Sequence, residues 1–133
     1  MPAVVKGSSN VKAEHVARAA GTEIQWLISK SDGAPNFDLR KFTIAPGGKI
    51  PRHFHDDIEH EQFVLKGEYL LGVDEKTYKL KPGDSIYIPA KSVHWYQNTG
   101  NEQAEFLCIV PRRERYDATY LDEALTTSSK NCT

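Results

Sequence analysis

The chain has 133 residues, with 17 Lys and Arg against 18 Asp and Glu, and no apolar run near the ~20 residues that span a bilayer. That length suits one domain with one core over residues 1–133, and the even charge balance argues against a nucleic-acid or membrane partner. The opening MPAVVKGSSN lacks the apolar segment of a signal peptide, and two cysteines, Cys108 and Cys132, make no disulfide framework, so a cytoplasmic location is expected.

Seven prolines and nine glycines, spread along the chain, predict many short strands joined by turns. Ala3 to Lys6 reads as an edge strand, and Ala13 to Ala20 as a strand or a helical turn. Thr22 to Ser29 predicts a strand with Ile24, Trp26 and Ile28 on one face. Residues 31–36 (SDGAPN) are a loop by composition. Phe37 to Ile44 predicts a strand ended by Pro46, Gly47 and Gly48, with Asp38, Arg40, Phe42 and Ile44 on one face.

Further on, His60, Gln62 and Val64 alternate with Glu61, Phe63 and Leu65 until Gly67 breaks the run. A hairpin is expected across residues 73–78, and a type II turn at Lys81 to Asp84. Ser85 to Ile88 is a strand, Pro89 to Ser92 a turn, and Val93 to Gln97 a strand carrying His94 and Tyr96. Ala104 to Val110 is the last strong strand, with Phe106, Cys108 and Val110 on one face. Beyond Pro111 come Arg112, Arg113 and Arg115, then Tyr116 to Leu125, which reads as one short helix. The barrel core is placed at about 22–111, with 112–133 as a C-terminal extension.

Four of the five histidines fall between Gly47 and Asn98; the fifth, His15, lies far upstream. His53 and His55 are two apart, so a strand points both imidazoles to one side. Asp56, Asp57 and Glu59 form a polar connection, and a hairpin would return His60 beside the pair. His94 must come from another strand, because Gly67, Pro82 and Pro89 punctuate the chain between. Four imidazoles so spaced point to one divalent metal, and imidazole suits Mn, Fe, Ni, Cu and Zn alike. Glu59 or Glu61 is the alternative to His60 as third ligand, although strand alternation turns both the other way.

The same stretch resembles the cupin superfamily. Its first motif runs glycine, five residues, H-x-H, three or four residues, glutamate, six residues, glycine. Here the matching positions are Gly47, His53, His55, His60 and Gly67, with His60 where the glutamate ligand stands. Its second motif runs glycine, five residues, P-x-G, two residues, histidine, three residues, asparagine. Here these are Gly83, Pro89, Lys91, His94 and Asn98, with Lys91 in place of the glycine. HEQFVLKG and FLCIVP are similar to the small single-domain cupins with a four-histidine, manganese-type site.

The resemblance implies an all-β cupin jelly-roll β-barrel (a double-stranded β-helix), to which the C-terminal reading adds a short helix. It implies one divalent transition metal per chain, manganese first, on His53, His55, His60 and His94. It also implies a homodimer, for which Ala3, Val4 and Val5 are the natural exchange strand. Arg40 is a cavity residue by the resemblance, or else a surface arginine paired to an acid. Gln62 would donate to a metal-bound oxygen or orient an imidazole. Tyr96, on the His94 face, would wall the cavity, act as a hydrogen donor, or simply fill the core. Phe106, Cys108 and Val64 would complete the pocket, with a plain buried thiol the alternative for Cys108.

Four neutral imidazoles leave the metal's charge uncompensated, which favours a small anionic substrate. The first expected function is an oxidoreductase of dioxygenase type. The alternatives are an isomerase or lyase acting on a small acid or sugar derivative, and a non-catalytic metal-dependent sensor.

Overall fold

A computed structural model of the chain describes residues 2–121. Its strands are β1 (Ala13–His15), β2 (Ala20–Ile28), β3 (Phe37–Phe54), β4 (His60–Lys66), β5 (Tyr69–Val73), β6 (Lys76–Leu80), β7 (Ser85–Ile88), β8 (His94–Gln97), β9 (Ala104–Pro111) and β10 (Thr119–Tyr120). All pair antiparallel in one curled sheet of order β6-β5-β8-β3-β9-β4-β7, with β2 and β10 also on β3 and β1 on β2. The fold is all-β, a jelly roll of the cupin type. Among the described residues no helix is long and apolar enough to cross a membrane.

Strand β3 organises the sheet. Its first half pairs with β2 on one side and with β9 on the other, out to Ile44. From Lys49 it pairs instead with β8, and at His53 and Phe54 also with β10. Pro46, Gly47 and Gly48 were expected to end the strand; they change its partners instead. Gly47 takes a left-handed φ of 81°, and its N–H donates to the Asn98 carbonyl at 2.9 Å. A corner with continuous pairing needs that backbone freedom.

Period-two alternation then sorts the side chains. Asp38, Arg40 and Ile44 of β3, Gln62 and Val64 of β4, and Phe106, Cys108 and Val110 of β9 are all buried. The apolar members join Leu71, Ile88 and Tyr69 in one core cluster. Each large one contributes about 1.5–3 kcal/mol by burial. Asn98, fully buried, holds the motif's last corner: its Nδ2 donates to the Ile44 and Glu102 carbonyls, both at 2.9 Å.

Three expectations are corrected. Residues 3–6 form no strand: among the described residues no strand pairs with them. The Tyr116–Leu125 helix is absent over residues 116–121; Thr119 and Tyr120 instead add to β3 opposite Phe54 and His53. Residues 122–125 lie outside the described part. No hairpin joins β3 to β4: β9 lies between them, so His60 meets His55 across the cavity rather than along a ladder.

Candidate metal centre

His53 closes β3 and His94 opens β8, and the two are register partners. Their ring centroids lie 4.2 Å apart. His55 follows directly after β3, with its ring 5.2 Å from that of His53. Ligand nitrogens of His53, His55 and His94 all fall within 4.8 Å of one another. Three donors about 2.1 Å from one ion lie roughly 3–4 Å apart, so modest side-chain adjustment could bring these three onto one ion.

The second ring nitrogens support that use. Nδ1 of His53 bonds the Pro51 carbonyl at 2.7 Å, Nδ1 of His55 that of Asp117 at 2.9 Å, and Nδ1 of His94 that of Ser92 at 3.0 Å. A carbonyl can only accept, so each imidazole carries its proton on Nδ1 and presents a bare Nε2. His60 stands beside this trio, its ring 4.9 Å from His55 and 5.2 Å from His94, but outside the 4.8 Å group. It is buried, and its Nδ1 has no partner. Glu59 and Glu61 are exposed and line an outer groove with Phe37 and Arg113, on the far side of the sheet from the imidazoles.

Burial holds all four imidazoles neutral. It pushes His53 down to about 3 and His94 to about 4, and it lowers His55 and, further, His60. Neighbouring histidines repel a proton as well, as does Arg40 at His55 and His60. Neutral imidazoles with aligned Nε2 atoms are what a divalent ion requires.

The histidines line one cavity of about 290 Å³ together with Arg40, Gln62, Tyr96, Phe106 and Cys108. That volume is at the small end for ligand sites. Phe42, Phe106 and Tyr96 form an offset stack with Phe106 in the middle, successive centroids 5.1 Å apart and rings tilted by 12°. Gln62 Nε2 donates to the Tyr96 hydroxyl at 2.7 Å. Burial holds the Tyr96 phenol well above its usual range, so it keeps its proton. Val64 packs in the core cluster and is not among the residues lining the cavity.

Several lining residues had no role in the sequence reading. Tyr120 stacks on His53 at 5.1 Å and carries Arg18 over its ring at 4.5 Å. Glu14 and the distant His15 reach the cavity from β1. Trp26, the register partner of Arg40, walls it from β2. The alternation of β2 could have found Trp26; nothing local could have found the others.

Lys91, in place of the second motif's glycine, adopts the glycine conformation all the same, with φ at 73°. Its N–H donates to the His55 carbonyl at 2.8 Å, and its Nζ reaches the Asp56 carbonyl at 3.0 Å. The turn that presents His94 thus also pins the segment that follows His55.

Known proteins resemble this chain at several levels. The polyketide cyclase RemF from Streptomyces resistomycificus superposes with a TM-score of 0.84 and 32% identity, over 94% of this chain and 89% of that one. The uncharacterized protein MJ1618 of Methanocaldococcus jannaschii is 34% identical over 70 residues; the match spans 53% of this chain and 56% of that protein. Quercetin 2,3-dioxygenase of Bacillus subtilis is 27% identical over 82 residues, 62% of this chain and 21% of that one. The family described as Cupin domain (Cupin_2) matches residues 40–110, which include all four clustered histidines, Arg40 and Cys108. The chain therefore belongs to the Cupin_2 family of the cupin superfamily.

Proposed function

We propose that the protein is a metal-dependent cupin that closes a small, enolisable polycarbonyl anion into a ring. The observation that carries this reading is the cavity itself: neutral imidazoles, an aromatic stack, and a neutral buried phenol oriented by an amide. The likeness to a polyketide cyclase over nearly the whole chain supports it.

His53, His55, His94 and His60 would hold one divalent ion, manganese first, and the unpartnered Nδ1 of His60 is consistent with a ring positioned for such a group. Bound there, the ion would supply Lewis acidity to a 1,3-dicarbonyl and favour its enolate. The chain's own residues do the rest. The stack of Phe42, Phe106 and Tyr96 would confine the substrate beside the histidines and so hold its two ends within bonding reach. The substrate enters as its enolate, its methylene proton already left in solvent; the enolate carbon bonds to a distant carbonyl carbon, the C=O π bond there breaks, and that oxygen takes a proton from a donor that regains it from solvent. Tyr96 is the hydroxyl placed to give it, because Gln62 occupies one of its lone pairs and leaves its O–H free. Burial of the cavity keeps bulk water from competing for the carbanion.

The dioxygenase reading is the second one, supported by the likeness to quercetin 2,3-dioxygenase. One experiment separates the two. Full-length protein, analysed for metal as purified, is given a linear aliphatic triketone and, separately, a flavonol, under argon and under air. Ring closure of the triketone under argon with no oxygen uptake supports the cyclase. Oxygen consumption matched to flavonol loss supports the dioxygenase. Neither reaction, with tight metal binding, leaves the sensor. The same reading has the protein acting in the cytoplasm as a homodimer, and light scattering showing a 15.0 kDa particle at micromolar concentration would refute the dimer.

A further inference from the structure

Arg40 is buried, at 8% exposed, yet among the described residues no carboxylate pairs with it. A guanidinium taken out of water and left without a counter-charge is unfavourable. What surrounds it compensates only in part. Nη2 donates to Cys108 Sγ at 3.0 Å, and the aromatic faces of Phe42, Trp26 and Tyr116 lie 5.1, 5.4 and 5.9 Å from the guanidinium carbon. The Nε–H has no partner at all. Asp38, two residues back on the same face, uses Oδ2 to accept from the Tyr116 hydroxyl and lies 3.9 Å from Arg112; its Oδ1 has no partner, yet it forms no ion pair with Arg40. Of the residues lining the cavity only Glu14 is acidic, and it lies on the exposed strand β1.

Gln62 is the complementary case. It is 5% exposed, and its Oε1 is a buried acceptor with no donor. Arg40 and Gln62 are not scattered. Cys108 is the register partner of Arg40 across β3–β9 and of Gln62 across β9–β4, so the three form one row across the sheet. Both heads donate to the one sulfur, Gln62 Nε2 at 3.4 Å. An unpaired cationic donor beside an unpaired neutral acceptor matches a ligand that presents an oxyanion next to a hydroxyl.

We propose that Arg40 and Gln62, set on either side of Cys108, form an oxyanion subsite distinct from the histidine cluster, which binds the carboxylate of a small planar hydroxy or enol acid. Resting on the ring-closing function proposed above, it narrows the substrate to a polycarbonyl carrying a free carboxylate, with the carboxylate on Arg40 and the reacting carbonyls toward the histidines. Arg40 makes its contact with substrate here and sets which end enters first.

The test compares two ligands of one shape and different charge, cinnamate and cinnamyl alcohol, on the full-length protein purified with manganese. Cinnamate is expected to bind about tenfold or more tightly than the alcohol. Arg40→Met should erase that preference, while Arg40→Lys keeps the charge without the fork and retains part of it. A readout independent of any variant is the Arg40 Nε–H resonance of the wild-type protein, carrying diamagnetic zinc in place of manganese, expected to move with cinnamate and not with the alcohol. Equal affinities in wild type, or a cinnamate preference that survives Arg40→Met with the Nε–H resonance unmoved, would overturn the subsite. The latter result would mean that cinnamate sits at the histidines or that water alone fills the arginine end. Metal content and triketone turnover are measured separately, so a failed cyclase leaves this result standing, and the reverse.

Discussion

At one end of the cavity three imidazoles give their Nδ1 protons to main-chain carbonyls of Pro51, Ser92 and Asp117. Elsewhere in the lining Arg40 and Gln62 are held through side chains, to a thiol and a phenol, and each keeps a polar atom without a partner. The first end is anchored by backbone, and its geometry is set before any ligand arrives. The second is left incomplete, and a ligand can complete it. Backbone anchors suit a small ion, which tolerates little error in donor position. Unsatisfied side chains destabilise the free protein but add selectivity, since a ligand that fails to pair with them leaves them buried and alone.

Acid tests the histidine end hardest. The four rings are buried neutral, with His53 lowered to about 3 and His94 to about 4 from an ordinary 6.5. As pH falls below 6.5 the unfolded chain takes up protons that the folded chain refuses, so metal-free stability drops through that window. The loss is roughly 1.4 kcal/mol per pH unit for each histidine. It continues until the folded pKa is reached, near 4 for His94. Denaturant melts of the metal-free protein between pH 7.5 and 4.5 (roughly the working range for imidazole) measure it. Stability that does not change across that range would mean that the rings are solvated and the end is not preformed.

His60 is the member of that end without a backbone anchor, so its substitution is the sharper probe. His60→Ala is expected to weaken metal binding by about ten- to a hundredfold, the scale of losing a supporting group, with the barrel intact. His53→Ala should lose the metal altogether. His60→Glu should restore metal content while lowering the charge of the site by about one unit. Wild-type stoichiometry in His60→Ala would remove His60 from the ligand set and leave a three-histidine centre.

The arginine end predicts the opposite sign. Replacing a buried, unpaired charge with an apolar side chain of similar length should stabilise the ligand-free protein, by about 1–2 kcal/mol for Arg40→Met. Thermal melts would read this as a raised midpoint alongside lost carboxylate binding. A lowered midpoint would mean that Arg40 supports the fold and that the end is not poised for a ligand.

The smallest effect belongs to the turn behind His94. Lys91 sits in a conformation that glycine adopts freely. Lys91→Gly should relieve that strain, offset by the freedom glycine adds to the unfolded chain, for a net gain of at most about 1 kcal/mol. A clear loss would show that the Lys91 bond to the Asp56 carbonyl matters more than the strain.

Period-two alternation, turn chemistry and ligand spacing are local, and they were legible in the sequence. They placed most of the strands, the shared face of His60 and Gln62, and the opposite face of Glu61, while the inward direction of Arg40 and Cys108 came from the cupin resemblance. They also marked the glycines as corners, and Gly67 shows why one was needed: φ is 76°, and a Cβ there would lie 2.4 Å from the Gln103 carbonyl oxygen. What alternation cannot give is which strands become neighbours. That depends on how a twisted sheet curls to bury both its halves in one core. Hence β9, not a hairpin, separates His55 from His60, and Thr119 and Tyr120 pair with β3 although the spacing of Tyr116 and Tyr120 also suits a helix. The row Arg40, Cys108, Gln62 exists only because β9 lies between β3 and β4. The residue types were written in the chain, but the pairing of distant strands brought a cation, a thiol and an amide into one cavity with the histidines.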